Sequence, residues 1–295
     1  MNDSKRQRMK EDAGFIAALD QSGGSTPKAL AHYGVPESAY SSEDVMFDLM
    51  HEFRSRIMAA PAFRGDRILG AILFEQTMDR EVGGVAVPRY LWEQRNVVPF
   101  VKVDEGLAAE ADGVRLMKPF TKLESLLDRA VGRQVFGTKM RSFVSRADPA
   151  GIAAVLDQQF AYALQIVDAG LMPIIEPEVD IASAEKQQAE ELLKQGILER
   201  LESIPEASEV MFKLTIPTQD DFYGDLIRHP KVLRVVALSG GYSQQEANER
   251  LARNHGLIAS FSRALTEGLQ RQQSDEEFNR VLATSIAAIH AASTT

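Results

Sequence analysis

Cysteine is absent from the 295 residues. That excludes disulfides, thiolate zinc sites, iron–sulfur clusters and a cysteine nucleophile. Histidine is scarce, with only His32, His51, His229, His255 and His290. None pair at i, i+4 or as H-x-H, so no metal site is expected. Tryptophan occurs once, at Trp92, and aromatics are 7% of the chain, which leaves little for stacking sugars. No apolar run approaches about 18 residues, so no membrane-crossing helix is expected. Residues 1–12 are charged and lack the apolar stretch of a secretory leader. A positive excess is missing too: 42 acidic against 33 basic residues leave a net charge of −9. That balance disfavours nucleic acid or an anionic membrane as the main partner. The expectation is a cytoplasmic protein, an enzyme, working on small molecules.

Eight short apolar runs recur, at 15–19, 68–74, 100–103, 135–139, 172–175, 210–214, 233–238 and 257–261. They are near-continuous rather than alternating, as in strands of a parallel sheet covered on both faces. Helical patterns follow most of them. The clearest runs from Asp148 to Gly170, with Asp148 as cap, Pro149 at the first position and Gly170 just past the end. Met46 to Met58 is amphipathic, and Ser243 with Glu246 and Ser274 with Glu277 have capping spacing. Eight strand–helix units predict a (β/α)₈ barrel, one domain over 1–295 with a short N-terminal helical lead-in and a C-terminal helix. A doubly wound sheet would carry G-x-G-x-x-G after an early strand; Gly23-Gly24 has the wrong spacing for it.

Barrel chemistry gathers at the C-terminal ends of the strands. The predicted strands deliver, in order, Asp20, Glu75, Lys102 with Asp104, Lys139 with Arg141, Glu176 with Glu178, Lys213, Ser239-Gly240-Gly241, and Ser262 with Arg263. Two functions can be built from these groups. The first is anion binding. A glycine turn ahead of a helix offers free N–H groups to a phosphate, as in Ser239-Gly240-Gly241 before the Ser243 helix, with Arg263 beside it. Ser22, Ser25 and Lys102 form a second candidate, so a substrate with two phosphates is expected. The second function is covalent. A lysine must shed its proton to attack a carbonyl, and burial or a cationic neighbour favours that. Lys213 lies in the apolar run 210–216, Lys139 is the neighbouring cation, and Glu176, Asp20 and Lys139 are candidate proton carriers.

These residues sit in segments with a specific resemblance. FIAALDQSGGSTPKAL (15–30), GAILFEQTMDR (70–80), PFVKVDEGL (99–107), FGTKMRS (136–142), LMPIIEPEVD (171–180), MFKLTIP (211–217), VVALSGGYS (235–243) and ASFSRALTEG (259–268) resemble, in this order, the class I (Schiff-base) fructose-bisphosphate aldolases of the short bacterial type. The resemblance implies a (β/α)₈ barrel and a metal-independent, cofactor-free lyase of glycolysis and gluconeogenesis. It implies reversible cleavage of fructose 1,6-bisphosphate to dihydroxyacetone phosphate and glyceraldehyde 3-phosphate. Lys213 would form the Schiff base, and Glu176 would be the main proton donor and acceptor. Asp20 would take the C4 hydroxyl proton. Lys139 would hold polar intermediates and favour the neutral amine, and Glu178 would support Lys213 or Glu176. Ser239, Gly240, Gly241, Ser262 and Arg263 would bind the C1 phosphate, and Ser22, Ser25, Lys102 and Arg141 the C6 end. One departure stands out: the chain ends without the terminal tyrosine that assists C3 proton transfer in the animal enzymes, so that step falls to another group or water.

Other readings compete. Glu75 and Glu176 could serve a retaining glycosidase, which would leave Lys213 and the glycine loop unexplained. Glu75 reads more readily as the buried partner of a lysine, and Trp92 as packing. A binding protein without turnover would have lost Lys213, Glu176 or Asp20, and all three are present. A related substrate such as tagatose 1,6-bisphosphate stays open, as does the choice between a monomer and a small homo-oligomer.

Overall fold

The eight apolar runs do form strands. The computed structural model describes residues 3–295. The strands are β1 (Phe15–Leu19), β2 (Ile68–Leu73), β3 (Val98–Lys102), β4 (Gly137–Val144), β5 (Met172–Val179), β6 (Val210–Thr215), β7 (Val232–Leu238) and β8 (Ile258–Phe261). Each pairs in parallel with the next, and β8 returns to β1. Closure leaves no strand edge open. The architecture is the (β/α)₈ barrel.

The main helices are α1 (Asp3–Glu11), α2 (Glu43–Ala59), α3 (Leu123–Gly132), α4 (Pro149–Asp168), α5 (Lys186–Leu201), α6 (Gln244–Leu251) and α7 (Asp275–Ala292). Their ends follow the capping signals. Asp148 Oδ1 accepts the Gly151 N–H at 2.8 Å, and Gly170 has φ of +80°. The Ser243 and Ser274 hydroxyls accept the Glu246 and Glu277 N–H groups, each at 3.2 Å. After β2 and β6 only short helical pieces, Glu75–Met78 and Gly224–Ile227, begin the crossover. No helix among the described residues is long and apolar enough to cross a membrane.

Two apolar layers hold the barrel. The outer one lies between strands and helices. The inner one includes Ile16, Phe100, Ile174, Met211, Val236 and Ile258. Side chains alternate along a strand, so counting on by two from the inner residues reaches Asp20 on β1, Lys102 on β3, Glu176 and Glu178 on β5, Lys213 and Thr215 on β6, and Ser260 and Ser262 on β8. The pairing of Phe100 with Gly137 and of Lys102 with Lys139 puts Lys139 and Arg141 of β4 in the same set. The barrel interior is thus apolar at one end and charged at the other.

This corrects the expected strand limits. β4 runs to Val144 and β5 to Val179, well past the apolar runs that end at Lys139 and Ile175. The outward residues Met140, Val144, Ile175 and Val179 stay apolar and packed against helices. Charge appears only on the inward side of these strands, where the groups meet one another; the outward side carries the neutral Thr138 and Ser142. Lys139, Arg141, Glu176 and Glu178 therefore stand within strands rather than on the loops after them. α7 ends near the start of β8, where Ser293 Oγ accepts the Ala259 N–H at 3.0 Å. The end of that helix is far from the charged mouth.

Candidate active site

Four of the expected residues form one buried chain of alternating charge. Asp20 Oδ2 lies 2.6 Å from Lys139 Nζ, Lys139 Nζ lies 2.9 Å from Glu176 Oε2, and Glu176 Oε1 lies 3.0 Å from Lys213 Nζ. All four are at least nine-tenths buried. Charges this deep are tolerable only when paired, and here two acids meet two bases. Burial opposes the ionisation of Asp20, but the pull of Lys139 and Lys213 prevails and holds its carboxyl below the usual range. Burial likewise opposes the charge on Lys139, and Asp20, Glu176 and Asp104 together raise its pKa above the ordinary lysine value. Lys139 is therefore a fixed cation. Glu176 stands between it and Lys213, so the expected direct neighbourhood of the two lysines is bridged by a carboxylate. Glu176 Oε2 is paired with Lys139 by charge but receives no hydrogen bond. That oxygen is left without a directed donor inside the barrel.

The backbone under this cluster is opened. β5 and β6 pair at Ile174 with Met211 and at Ile175 with Phe212, and no further. The freed groups find side chains instead. Gln159 of α4 accepts the Glu176 N–H at 2.9 Å, and the Thr215 hydroxyl accepts the Val179 N–H at 2.9 Å while donating to the Val179 carbonyl at 2.8 Å. Both are essentially inaccessible to solvent. The sequence reading passed over both. The inward period that reaches Lys213 also reaches Thr215, whereas nothing in the local sequence singles out Gln159.

Glu178 is paired with Arg141. Burial raises its pKa; Arg141 opposes the shift and the charge of Glu176 adds to it. Lys102 Nζ is 2.7 Å from Asp104 Oδ1, and Asp104 Oδ2 accepts the Arg141 N–H at 3.2 Å. Arg141 and Lys102 are thus each matched to a carboxylate at the rim. Tyr223 is buried near Glu190 of α5, and Tyr242 packs against Arg250 of α6.

The two expected anion sites differ in completeness. Ser239 is buried at the end of β7, and Gly240 follows with φ of +63°. A Cβ on Gly240 would lie 2.5 Å from Ile181 Cγ2, so both backbone and space demand glycine. The Arg263 guanidinium reaches over Gly241, whose Cβ position is 3.7 Å from Arg263 Nη2. Arg263 forms no ion pair among the described residues. At the other side a cavity of about 470 Å³ is lined by Ser22, Gly23, Gly24, Lys102, Lys118 and Lys122, with Glu75 and Glu105 at its wall. Ser25 does not line it. Its hydroxyl is spent within the turn, donating to the Ser22 carbonyl and accepting the Ser22 N–H, both at 3.0 Å. Lys118 and Lys122 were not foreseen, since they follow no strand end. Glu75 pairs with Arg129 of α3 at 2.8 Å, not with a lysine. Trp92 packs on the inner layer beneath Lys5. No group of three metal-type ligands occurs among the described residues.

No protein-family model matches the chain. Its relatives are nonetheless clear. It is 60% identical over 294 residues to the "fructose-bisphosphate aldolase class 1" of Synechocystis, covering all of this chain and 98% of that one. It is 56% identical to the protein of the same name from Clostridium acetobutylicum, with both chains fully covered, and 54% identical to that of Porphyromonas gingivalis over 99% of each. Among solved structures, the fructose-bisphosphate aldolase of Plasmodium falciparum, in complex with TRAP and an inhibitor, matches with a TM-score of 0.72. The match covers 99% of this chain and 94% of that one at 20% identity, a likeness of fold.

Proposed function

The chain belongs to the class I fructose-bisphosphate aldolases, and from that premise we propose that Lys213 is the amine that carries its reaction. The reaction is the reversible cleavage of fructose 1,6-bisphosphate into dihydroxyacetone phosphate and glyceraldehyde 3-phosphate. Class I chemistry uses an iminium, formed on a lysine, as the electron sink. The observation that carries the assignment is the contact between Lys213 Nζ and Glu176 Oε1 at 3.0 Å.

The steps follow from the cluster. Glu176 takes a proton from Lys213, and the free amine attacks the C2 carbonyl of the open-chain sugar. Glu176 returns a proton to the carbinolamine oxygen, water leaves, and the C2 iminium forms. Asp20 accepts the C4 hydroxyl proton. The C4 oxygen becomes the aldehyde carbonyl, the C3–C4 bond breaks, and its electron pair moves into the iminium to give an enamine. Protonation at C3 and addition of water then release dihydroxyacetone phosphate and the free lysine. Lys139 holds Asp20 ionised and steadies oxygen atoms as charge develops. Glu178 and Arg141 brace the rim beside Glu176.

The C1 phosphate lies on Ser239, Gly240, Gly241, Ser262 and Arg263, where backbone N–H groups and an unpaired guanidinium converge. The C6 phosphate lies toward Ser22 and Lys102. The net charge of −9 speaks against nucleic acid as a partner, while local cations such as Lys102 and Arg263 serve small phosphorylated substrates. The enzyme works in the cytoplasm, as a monomer or small homo-oligomer. Borohydride reduction of the protein with dihydroxyacetone phosphate, followed by peptide mapping, tests the reading: the adduct belongs on Lys213, and an adduct elsewhere, or none on folded protein, overturns it.

A further inference from the structure

Arg54, on α2, is 1% exposed, yet it forms no ion pair among the described residues. Its guanidinium donates to Thr77 Oγ1 at 2.7 Å, to the Gln21 carbonyl, and to Gln21 Oε1 at 3.2 Å. A buried arginine without a carboxylate is costly. Burial lowers its pKa to about 9, opposed by the charge of Asp20, so it stays cationic at neutral pH. The cation therefore has a use that repays its desolvation.

Gln21 shows what that use is. A guanidinium can only donate, so the end of the Gln21 amide that faces Arg54 must be its oxygen. That fixes the other end. Gln21 Nε2 points at Ser262 Oγ, 2.6 Å away, and donates to it. Ser262 Oγ thus accepts inside the protein, and its own hydrogen meets no acceptor among the described residues. A hydrogen-bond chain with a cation at its origin polarises each later donor. The chain ends on a hydroxyl beside Arg263 and the glycine loop.

We infer that Arg54 is a positioning residue for phosphate binding, acting through Gln21 to present the Ser262 hydroxyl as a donor to the substrate phosphate. It touches no substrate. It orients the Gln21 amide, and the amide orients the hydroxyl. The inference rests on the placement of a phosphate at Ser262 and Arg263 argued above.

The test is a cycle of Arg54→Met, Ser262→Ala and the double variant, with KM and kcat measured on fructose 1,6-bisphosphate. Ser262→Ala raises KM, and Arg54→Met raises it by about tenfold, the effect of one weakened charge-assisted bond, with kcat little changed. In the Ser262→Ala background Arg54→Met adds nothing to KM. Arg54→Lys restores part of the loss. If Arg54→Met raises KM equally with and without the Ser262 hydroxyl, or lowers only the melting temperature, the relay is overturned. Should Arg54→Met not fold, Gln21→Leu cuts the same chain in the middle and is judged identically. A wild-type KM in Ser262→Ala removes Ser262 from the phosphate site and the relay with it, whereas borohydride trapping on Lys213 judges the Schiff-base reading separately.

Discussion

Lys213 Nζ and Glu176 Oε1 are 3.0 Å apart, one register step beyond Phe212 and Ile175, the last paired residues of β6 and β5. Lys213 and Glu176 therefore occupy the place where the two strands part. Strand pairing below this point fixes their height in the barrel. Above it the backbone ladder stops and the Thr215 hydroxyl bridges to Val179 instead. A separation of 3.0 Å is hydrogen-bond reach, as proton transfer requires.

Replacing Lys213 by Met should abolish cleavage, by roughly 10⁶-fold, the scale on which loss of a covalent nucleophile is felt. The fold should persist, since Glu176 keeps Lys139 at 2.9 Å as a counter-charge. Circular dichroism and borohydride trapping check both halves: a folded variant that still forms an adduct with dihydroxyacetone phosphate would mean that another lysine is the nucleophile.

Replacing Lys139 by Met should move the acid limb of kcat/KM to higher pH. Asp20 is buried, and its carboxyl stays below the usual range because Lys139 and Lys213 outweigh that burial. With Lys139 gone the desolvation remains and the largest compensating charge is lost, so the Asp20 pKa rises. Stability follows the same sign. A carboxylate whose pKa folding depresses adds stability above its unfolded pKa and loses it as pH falls through the folded value. The variant should thus begin to lose that contribution at higher pH than the wild type. We expect kcat to drop about 10²- to 10³-fold as well. An unmoved acid limb would show that Lys139 does not set the ionisation of Asp20.

The two phosphate ends should separate kinetically. Arg263→Ala should weaken both fructose 1,6-bisphosphate and dihydroxyacetone phosphate by about 2–3 kcal/mol, the loss of a charged hydrogen bond. Lys118→Ala with Lys122→Ala should weaken the bisphosphate and leave dihydroxyacetone phosphate unaffected, because these lysines line the cavity beside Ser22 and Lys102. Equal losses for both ligands in the lysine variant would place those lysines at the wrong end of the substrate.

Much of this site was legible in the sequence because barrel chemistry and strand order coincide. Asp20, Lys139, Glu176 and Lys213 each follow or end an apolar run, and all four stand in segments that resemble one family. The strand limits were less legible. A continuous apolar run marks a strand buried on both faces, but at the mouth of a barrel the inward face turns charged, so β4 and β5 outran their signals at Lys139 and Ile175. Arg54 and Gln159 were invisible for another reason. Each works by a hydrogen bond across elements distant in the chain, and nothing in local spacing announces it. Ser25, a serine beside two glycines, reads equally well as an anion ligand or as a turn closure, and here its hydroxyl bonds within the turn.

Thr215 gives the sharpest test of the parted strands. Its hydroxyl both accepts from and donates to the Val179 backbone, replacing the ladder that β5 and β6 do not form there. Valine has the same shape but no hydroxyl, so Thr215→Val leaves a buried N–H and a buried carbonyl without partners. That should cost about 2–4 kcal/mol of stability, seen as a lower denaturation midpoint at constant slope. The activity loss should exceed what unfolding explains, because Glu176 and Lys213 hang from the two strands that Thr215 ties together. A variant with wild-type kcat despite the lost stability would show that the Lys213–Glu176 distance is set by the paired residues below, and that the side-chain bridge above them serves the fold alone.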